Sequence, residues 1–266
     1  MLRDITLGQY YPADSVIHKM DPRTKLLATV VYVVSLFVFR NIPGFIVATV
    51  VLIALVLLSK VPFKLMAKGL KIIWVLVAIT AFFNVFFTPG DLLWQVGVLH
   101  ITWQGVRNAV FFSIRLIYLI LGTSIMTLTT TPNKLTDGLE EGLKPLNKIH
   151  IPVHEIALMM SIALRFIPLL GEETDRIKKA QMARGADFES GNMIQKVKSL
   201  VPILVPLFVS AFRRANDLAL AMEARCYHGG EGRTKMKPLH HEKRDYIAYV
   251  LMFAYLGAMI VIRVVG

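Results

Sequence analysis

One cysteine, Cys226, stands in a chain of 266 residues, so no internal disulfide can form and no cysteine-based metal site can be built. Redox chemistry therefore has no support. No Gly-x-x-x-x-Gly-Lys-Ser/Thr stretch occurs, which leaves the chain without a phosphate-cradling loop and predicts that it does not hydrolyse ATP itself. His150 and His154 are four apart but flank Pro152, and His240 and His241 are adjacent in a basic linker, so neither pair has the further ligands of a metal site. No Ser/His/Asp or paired-carboxylate grouping presents itself, and Glu140, Glu141, Glu172 and Glu173 read as solvated helix faces. The expectation is no catalytic residue, no metal and no cofactor in this chain. Residues 1–23 lack the apolar core and small-residue cleavage site of a secretory leader, so the N-terminus is expected to stay where it is made.

Acidic residues are also scarce, with 18 Asp and Glu against 30 Lys and Arg and a formal net charge of +12. Such an excess raises the question of nucleic acid, but here it accompanies 55% hydrophobic residues and a mean hydropathy of +0.56. In a membrane protein the same cations collect in cytoplasmic loops and face anionic lipid, and that reading displaces nucleic acid as a partner. Apolar runs at 26–39, 45–58, 72–87, 106–128 and 246–262 predict an all-α integral membrane protein with about five transmembrane helices. The organisation expected is a four-helix membrane domain over 1–130, a cytoplasmic helical coupling domain over 131–243 and a fifth transmembrane helix over 244–266. Arg40-Asn-Ile-Pro43-Gly44 leaves room only for a turn between the first two runs, which predicts an antiparallel pair there.

Orientation follows from the loops. Arg23 and Lys25 precede the first run and Lys60, Lys64, Lys68 and Lys71 follow the second, whereas residues 88–104 carry no Lys or Arg. The N-terminus is expected inside the cell and the C-terminus outside, with Trp94 and Trp103 as anchors at the opposite interface. Asp21-Pro22-Arg23-Thr24-Lys25 leads into the first span, and its cations are expected at the cytoplasmic interface. Arg115 lies inside the fourth run, where a central charge costs about 2.5–3.5 kcal/mol, so it should face protein or water rather than lipid.

Two shorter apolar runs, 156–170 and 200–212, interrupt the large segment between the fourth and fifth spans. Each is nearer 15 than 20 residues and contains proline, and a crossing of both would put the Lys- and Arg-rich stretch between them outside. They are therefore read as cytoplasmic. Within this segment one pattern occurs twice, 41 residues apart: Ala180-Gln-Met-Ala183-Arg184-Gly185 and Ala221-Met-Glu-Ala224-Arg225-Cys226. Each is expected at a helix C-terminus, capped by Gly185 in the first case and closed loosely by Gly229-Gly230 in the second. Ala180 with Ala183, and Ala221 with Ala224, are i, i+3 pairs that let another surface approach while the adjacent Arg reaches a carboxylate. Taken singly, Arg184 or Arg225 reads first as a cap of its own helix or a ligand of lipid phosphate, ahead of docking. The repetition favours docking.

On these residues the chain resembles, over essentially its whole length, the transmembrane T component of energy-coupling factor transporters, importers of vitamins and transition metals. The resemblance rests on Asp21-Pro22-Arg23-Thr24-Lys25, on the four-plus-one spans and on Ala183-Arg184-Gly185 and Ala224-Arg225-Cys226, the second ending in Cys226 where the family pattern has glycine. It implies two cytoplasmic ABC ATPase subunits, of EcfA and EcfA′ type, that bind ATP and Mg and each receive one of Arg184 and Arg225. It implies also a separate membrane-embedded S component that binds the substrate. From another class, a stand-alone carrier or channel using Arg115 remains as the alternative.

Overall fold

Each helix begins where a local signal places it. The computed structural model describes residues 10–39, 41–96, 99–188, 192–230, 236 and 238–265. Ser15 opens the short helix α1 (Val16–Lys19), its hydroxyl accepting the His18 amide. Asp21 opens α2 (Pro22–Val38), its carboxylate accepting the Arg23 amide while Pro22 takes the first helical position, where no intrahelical N–H bond is lost. α3 (Ile42–Ser59) stops at Lys60, whose φ of 53° is left-handed, and Pro62 precedes α4 (Phe63–Phe87). The loop without Lys or Arg contains a two-stranded antiparallel ribbon, β1 (Leu92–Val96) and β2 (Leu99–Thr102), with Trp94 opposite Ile101. Thr102 then caps α5 (Trp103–Thr129) by accepting the Gly105 amide, and its hydroxyl donates to Thr88 O at 2.8 Å. Trp103 is exposed, as an interfacial anchor would be, whereas the Trp94 side chain and Arg40 lie outside what is described.

The chain divides into two compact units, Gly8–Gly138 with Leu239–Gly266, and a second built on Leu139–Pro238. In the first, α5 is the central helix, packed against α2, α3 and α4, while α9 (Lys243–Val265) packs against α2 and α3. The expected antiparallel pairing of the first two spans is replaced by this arrangement. A short connection ties the ends of α2 and α3 together but does not oblige their sides to meet, and the corner is filled by Phe39, fully buried and edge-on to Phe45 at 4.9 Å. Leu36, Ala48, Met66 and Met259 complete the fully enclosed part of the core. Close approach of α5 to α2 requires Gly122, because a Cβ there would overlap the Tyr32 ring. Outward-facing Val34, Val50, Leu57, Trp74 and Val264 are more than half exposed, as a lipid-facing surface demands.

The second unit contains the end of α6 (Pro132–Leu143), a 3-10 turn at Lys144–Ile149, and two 31-residue helices, α7 (Val153–Ala183) and α8 (Met193–Glu223). A capping box starts α8: the Asn192 side chain accepts a backbone amide and Gln195 Oε1 accepts the Asn192 N–H at 3.0 Å. Proline does not end either helix. Pro168 lies inside α7, and Pro202 and Pro206 lie inside α8.

By length and composition α3, α5, α7 and α9 can cross a bilayer, and α4 is a fifth if its two parts, bent by 56°, count as one. This differs from the sequence reading at two helices. α2 begins four residues before the expected run, yet at 17 residues it rises only about 25 Å against the roughly 30 Å of a hydrocarbon core. α7 is long and apolar enough because the 156–170 run, with Arg165 and Pro168 inside it, belongs to one continuous helix over Val153–Ala183. The result is an all-α multi-pass membrane protein.

Candidate functional site

The two repeated Ala-Arg segments end α7 and α8 with the same set of hydrogen bonds. At the first, Gly185 N–H donates to Met182 O and Ala186 N–H to Gln181 O, both at 3.0 Å. At the second, Cys226 N–H donates to Glu223 O at 2.9 Å and Tyr227 N–H to Met222 O at 3.0 Å. Each is a Schellman closure, with the arginine just past the end of the helix and the residue after it left-handed. Gly185 has φ 87° and Cys226 has φ 58°, so the cysteine forms the turn that glycine forms in the first copy. The second helix therefore closes at Cys226, three residues before the Gly229-Gly230 pair that the sequence reading assigned to this role.

Ala180, Ala183, Arg184 and Gly185 are exposed, as are Ala221, Ala224, Arg225 and Cys226. Neither Arg184 nor Arg225 makes a side-chain hydrogen bond or ion pair with the described residues. Each tip thus presents a bare guanidinium beside a low alanine face at the negative end of a helix.

The helices that carry these tips are fastened to each other. Arg214 Nη2 of α8 donates to Glu173 Oε2 of α7 at 3.1 Å, and Gln181 Nε2 of α7 donates to Pro202 O of α8 at 3.3 Å. Residue number rises along α7 between these contacts and falls along α8, so the helices pack antiparallel. Glu173 stands eleven residues before Arg184, and Arg214 eleven before Arg225. Each tip accordingly projects about 16 Å of helix past the Glu173–Arg214 contact, in opposite directions. The sequence already carries this signal, since Glu173 and Arg214 are 41 apart, the spacing of the two arginines.

Gln181 answers a second local need. Pro206 lacks the N–H that would bond to the carbonyl four residues earlier, and that carbonyl is the one Gln181 reaches.

The segment Asp21-Pro22-Arg23-Thr24-Lys25 is placed differently from expectation. Asp21 and Lys25 are each only 6% exposed, so the segment points into the protein rather than holding its cations at an interface. Asp21 accepts two hydrogen bonds from the Arg23 guanidinium, at 3.1 and 2.9 Å, and its N–H donates to Asp245 Oδ1 at 2.9 Å. Asp245, fully buried at the start of α9, also accepts the Glu242 amide at 2.9 Å. Arg23 Nη2 reaches Leu239 O and the Thr24 hydroxyl reaches Tyr249 Oη. Lys25 Nζ donates to His18 O and to Thr129 O and Thr130 Oγ1 at the end of α5. A cation at those terminal carbonyls complements the helix dipole. The five residues therefore lock α1, α2, α5 and α9 together. Burial alone would raise the Asp21 carboxyl, but the Arg23 hydrogen bonds and charge outweigh it and hold the pKa below the usual value. Burial pushes the His18 imidazole down, and Nε2 donates to Tyr11 O at 2.9 Å while Nδ1 faces the Ser15 hydroxyl at 2.7 Å.

Arg115 faces protein, as expected, donating to Phe39 O at 3.0 Å with its guanidinium 5.4 Å from the Phe112 ring centre. Among the described residues no group of three or more His, Cys, Asp or Glu is arranged to hold a metal.

The model of the CbiQ family, the cobalt transport protein, matches residues 13–236. The energy-coupling factor transporter transmembrane protein EcfT of Clostridium kluyveri is 53% identical to the chain over 266 residues, covering 99% of this chain and 98% of the relative. Its namesake from Thermosediminibacter oceani is 52% identical over 249 residues, 94% of each chain. That of Bacillus subtilis is 46% identical over 265 residues, 99% of this chain and all of the relative.

Proposed function

The chain belongs to the CbiQ family as a transmembrane component of an energy-coupling factor transporter, and from that premise we propose that Arg184 and Arg225 are its two points of attachment to the motor. Each arginine enters a groove of one ABC ATPase subunit, of EcfA type at one tip and EcfA′ type at the other, and pairs there with a carboxylate. ATP and Mg belong to those subunits. This chain, lacking a phosphate-cradling loop, transmits their movement without catalysing a reaction. The observation that carries the reading is the matching closure of two exposed helix ends, each followed by an arginine that makes no side-chain hydrogen bond or ion pair with the described residues.

Antiparallel packing of α7 on α8 supports the mechanism. Two tips pointing away from a shared contact can follow two ATPase subunits, and a change in their separation turns α7 against α8 about Glu173 and Arg214. The partner that receives this motion is a substrate-binding S component for a vitamin or transition metal. It would slide on the apolar face of α8, where Val197, Val201, Val205, Phe208 and Phe212 are exposed. Residues 131–243 are then the cytoplasmic coupling domain, the N-terminus is inside and the C-terminus outside. Glu172, Glu173, Asp175, Arg176, Lys178 and Lys179 crowd the last third of α7. They put that tip in water although α7 is long enough to span.

The test is co-purification of a tagged native chain, and of the Arg184→Glu/Arg225→Glu double variant, with the ABC ATPase subunits of its host. Charge reversal turns two charge-assisted contacts into repulsions, so ATPase recovery should fall below detection while the variant stays in the membrane. Undiminished ATPase recovery by the variant would refute the reading.

A further inference from the structure

The first part of α4, Phe63–Lys71, is bent by 56° from the second, Ile73–Phe87, and the two parts differ in what they expose. The second part is open and apolar: Trp74, Val75, Phe83 and Phe87 are each more than half exposed, as on a side that meets lipid. The first part has two opposite sides. Met66 is fully enclosed, Leu65 and Leu70 pack against the core, and Gly69 faces Ile120 and Ser124 of α5. Lys64, Lys68 and Lys71 follow one another at the i, i+4, i+7 spacing of a single helix side, the side opposite those four. Lys64 and Lys71 are exposed, and so is Lys60 at the end of α3.

Among the described residues no acid is paired with these cations. Between Asp21 and Asp91 the chain contains no Asp or Glu, and α5, the helix against which α4 chiefly packs, contains none either. The side chains of Lys60, Lys64 and Lys71 make no hydrogen bond or ion pair with the described residues. Asp14, which shares a recess with Lys60, is paired with Lys19 at 2.6 Å. Exposed apolar side chains bracket the cations: Leu57 and Leu58 stand before Lys60, Phe63 beside Lys64, and Trp74 three residues after Lys71.

We propose that this ledge, from Lys60 to Lys71, binds the headgroups of anionic phospholipids, with Lys60, Lys64 and Lys71 donating to phosphate oxygens while the acyl chains lie along Ile73–Phe87 and the end of α3. A row of cations set between apolar surfaces selects a ligand that carries both negative charge and hydrocarbon, a combination that an acidic protein surface does not offer. Lysine is a flexible point charge with three donors, so it selects charge rather than the shape of one headgroup, and the ligand is a class rather than a single lipid. Each lysine at such a surface is worth about fivefold in affinity for an anionic lipid. This role needs neither Arg184 nor Arg225.

The chain contains three tryptophans, and Trp74, beside the ledge, serves as the reporter. The full chain with Trp94→Phe and Trp103→Phe is reconstituted in phosphatidylcholine vesicles, and quenching of Trp74 is compared for brominated phosphatidylglycerol and brominated phosphatidylcholine at equal mole fraction. Phosphatidylglycerol should quench in preference. Lys71→Gln should lower its relative affinity about fivefold, Lys64→Gln/Lys71→Gln should bring it near parity with phosphatidylcholine, and Lys64→Arg/Lys71→Arg should retain the preference, because charge is what is read. Both lysines are exposed, so the variants should keep the native melting temperature. Equal quenching by the two lipids overturns the proposal, as does an unaltered preference in the double glutamine variant. Loss of the preference on adding millimolar inorganic phosphate at constant ionic strength overturns the lipid in favour of a free anion. Absence of any lipid preference, with ATPase recovery lost in the double glutamine variant, overturns it in favour of an acidic protein partner.

Discussion

Cations occur in this molecule in two opposite settings. In the unit that contains α2 and α9, Arg23 and Lys25 are engaged by carboxylate, carbonyl and hydroxyl groups, and Lys25 is almost fully enclosed. In the unit that contains α7 and α8, Arg184 and Arg225 stand bare at helix ends. A buried charge must have its partners within the chain, because desolvation would otherwise cost several kcal/mol. An exposed charge carries no such obligation, since water solvates it. On the proposed function the first setting concerns stability and the second attachment, and variants can separate them.

The largest separation comes from the charge reversals at Arg184 and Arg225, made singly. Each should reduce recovery of its own ATPase at least about tenfold, the loss of one charge-assisted contact, while the melting temperature in detergent stays within a degree of native. A drop in melting temperature matching the loss of complex would erase the distinction. In the locked region the reverse is expected. Asp245→Ala strips the acceptor from the Asp21 and Glu242 amides and should cost about 3 kcal/mol, read as a lowered melting temperature, with whatever remains folded still binding ATPase.

A smaller effect distinguishes the two tips from each other. A side chain in the left-handed region costs roughly 1 kcal/mol, so Cys226→Gly should gain about that amount for α8 and Gly185→Ala should lose it for α7, measured as opposite shifts in hydrogen-exchange protection of the last turn. Matching shifts of one sign would mean that the turns are not equivalent.

The smallest effect is a pH dependence. His18 has its folded pKa lowered by burial, so the folded protein refuses a proton that the unfolded chain accepts below about 6.5. Its stabilising contribution is complete above that pH and is lost as pH falls through the folded-state pKa. Melting temperatures taken from pH 7.5 to 5 should decline less steeply in His18→Gln than in the native chain.

What the sequence disclosed was what depends on near neighbours. Apolar runs marked the helices, and the Ala-Arg repeat marked both tips because a helix closure is completed within six residues. The lock was hidden because its decisive bond joins Asp21 to Asp245, 224 positions apart, and nothing around Asp245 announces a partner. The inward turn of Lys25 was hidden for the same reason, its acceptors Thr129 and Thr130 lying at the end of a different helix. The ribbon at 92–102 escaped notice because so few residues alternate there. The reach of α7 was underestimated because Pro168 counted against a crossing, although a proline that loses one rung does not end a helix whose neighbours still hold it.

Pro202 and Pro206 remove two rungs from the ladder of α8 within one turn, which makes that turn a joint. The joint is latched from outside: the carbonyl left idle by Pro206 is hooked by Gln181, and Gln181 sits three residues from Arg184. On the proposed function, force applied at one fingertip would be delivered to the elbow of the opposite arm, and a chain with Gln181→Leu would keep both fingertips while losing that latch.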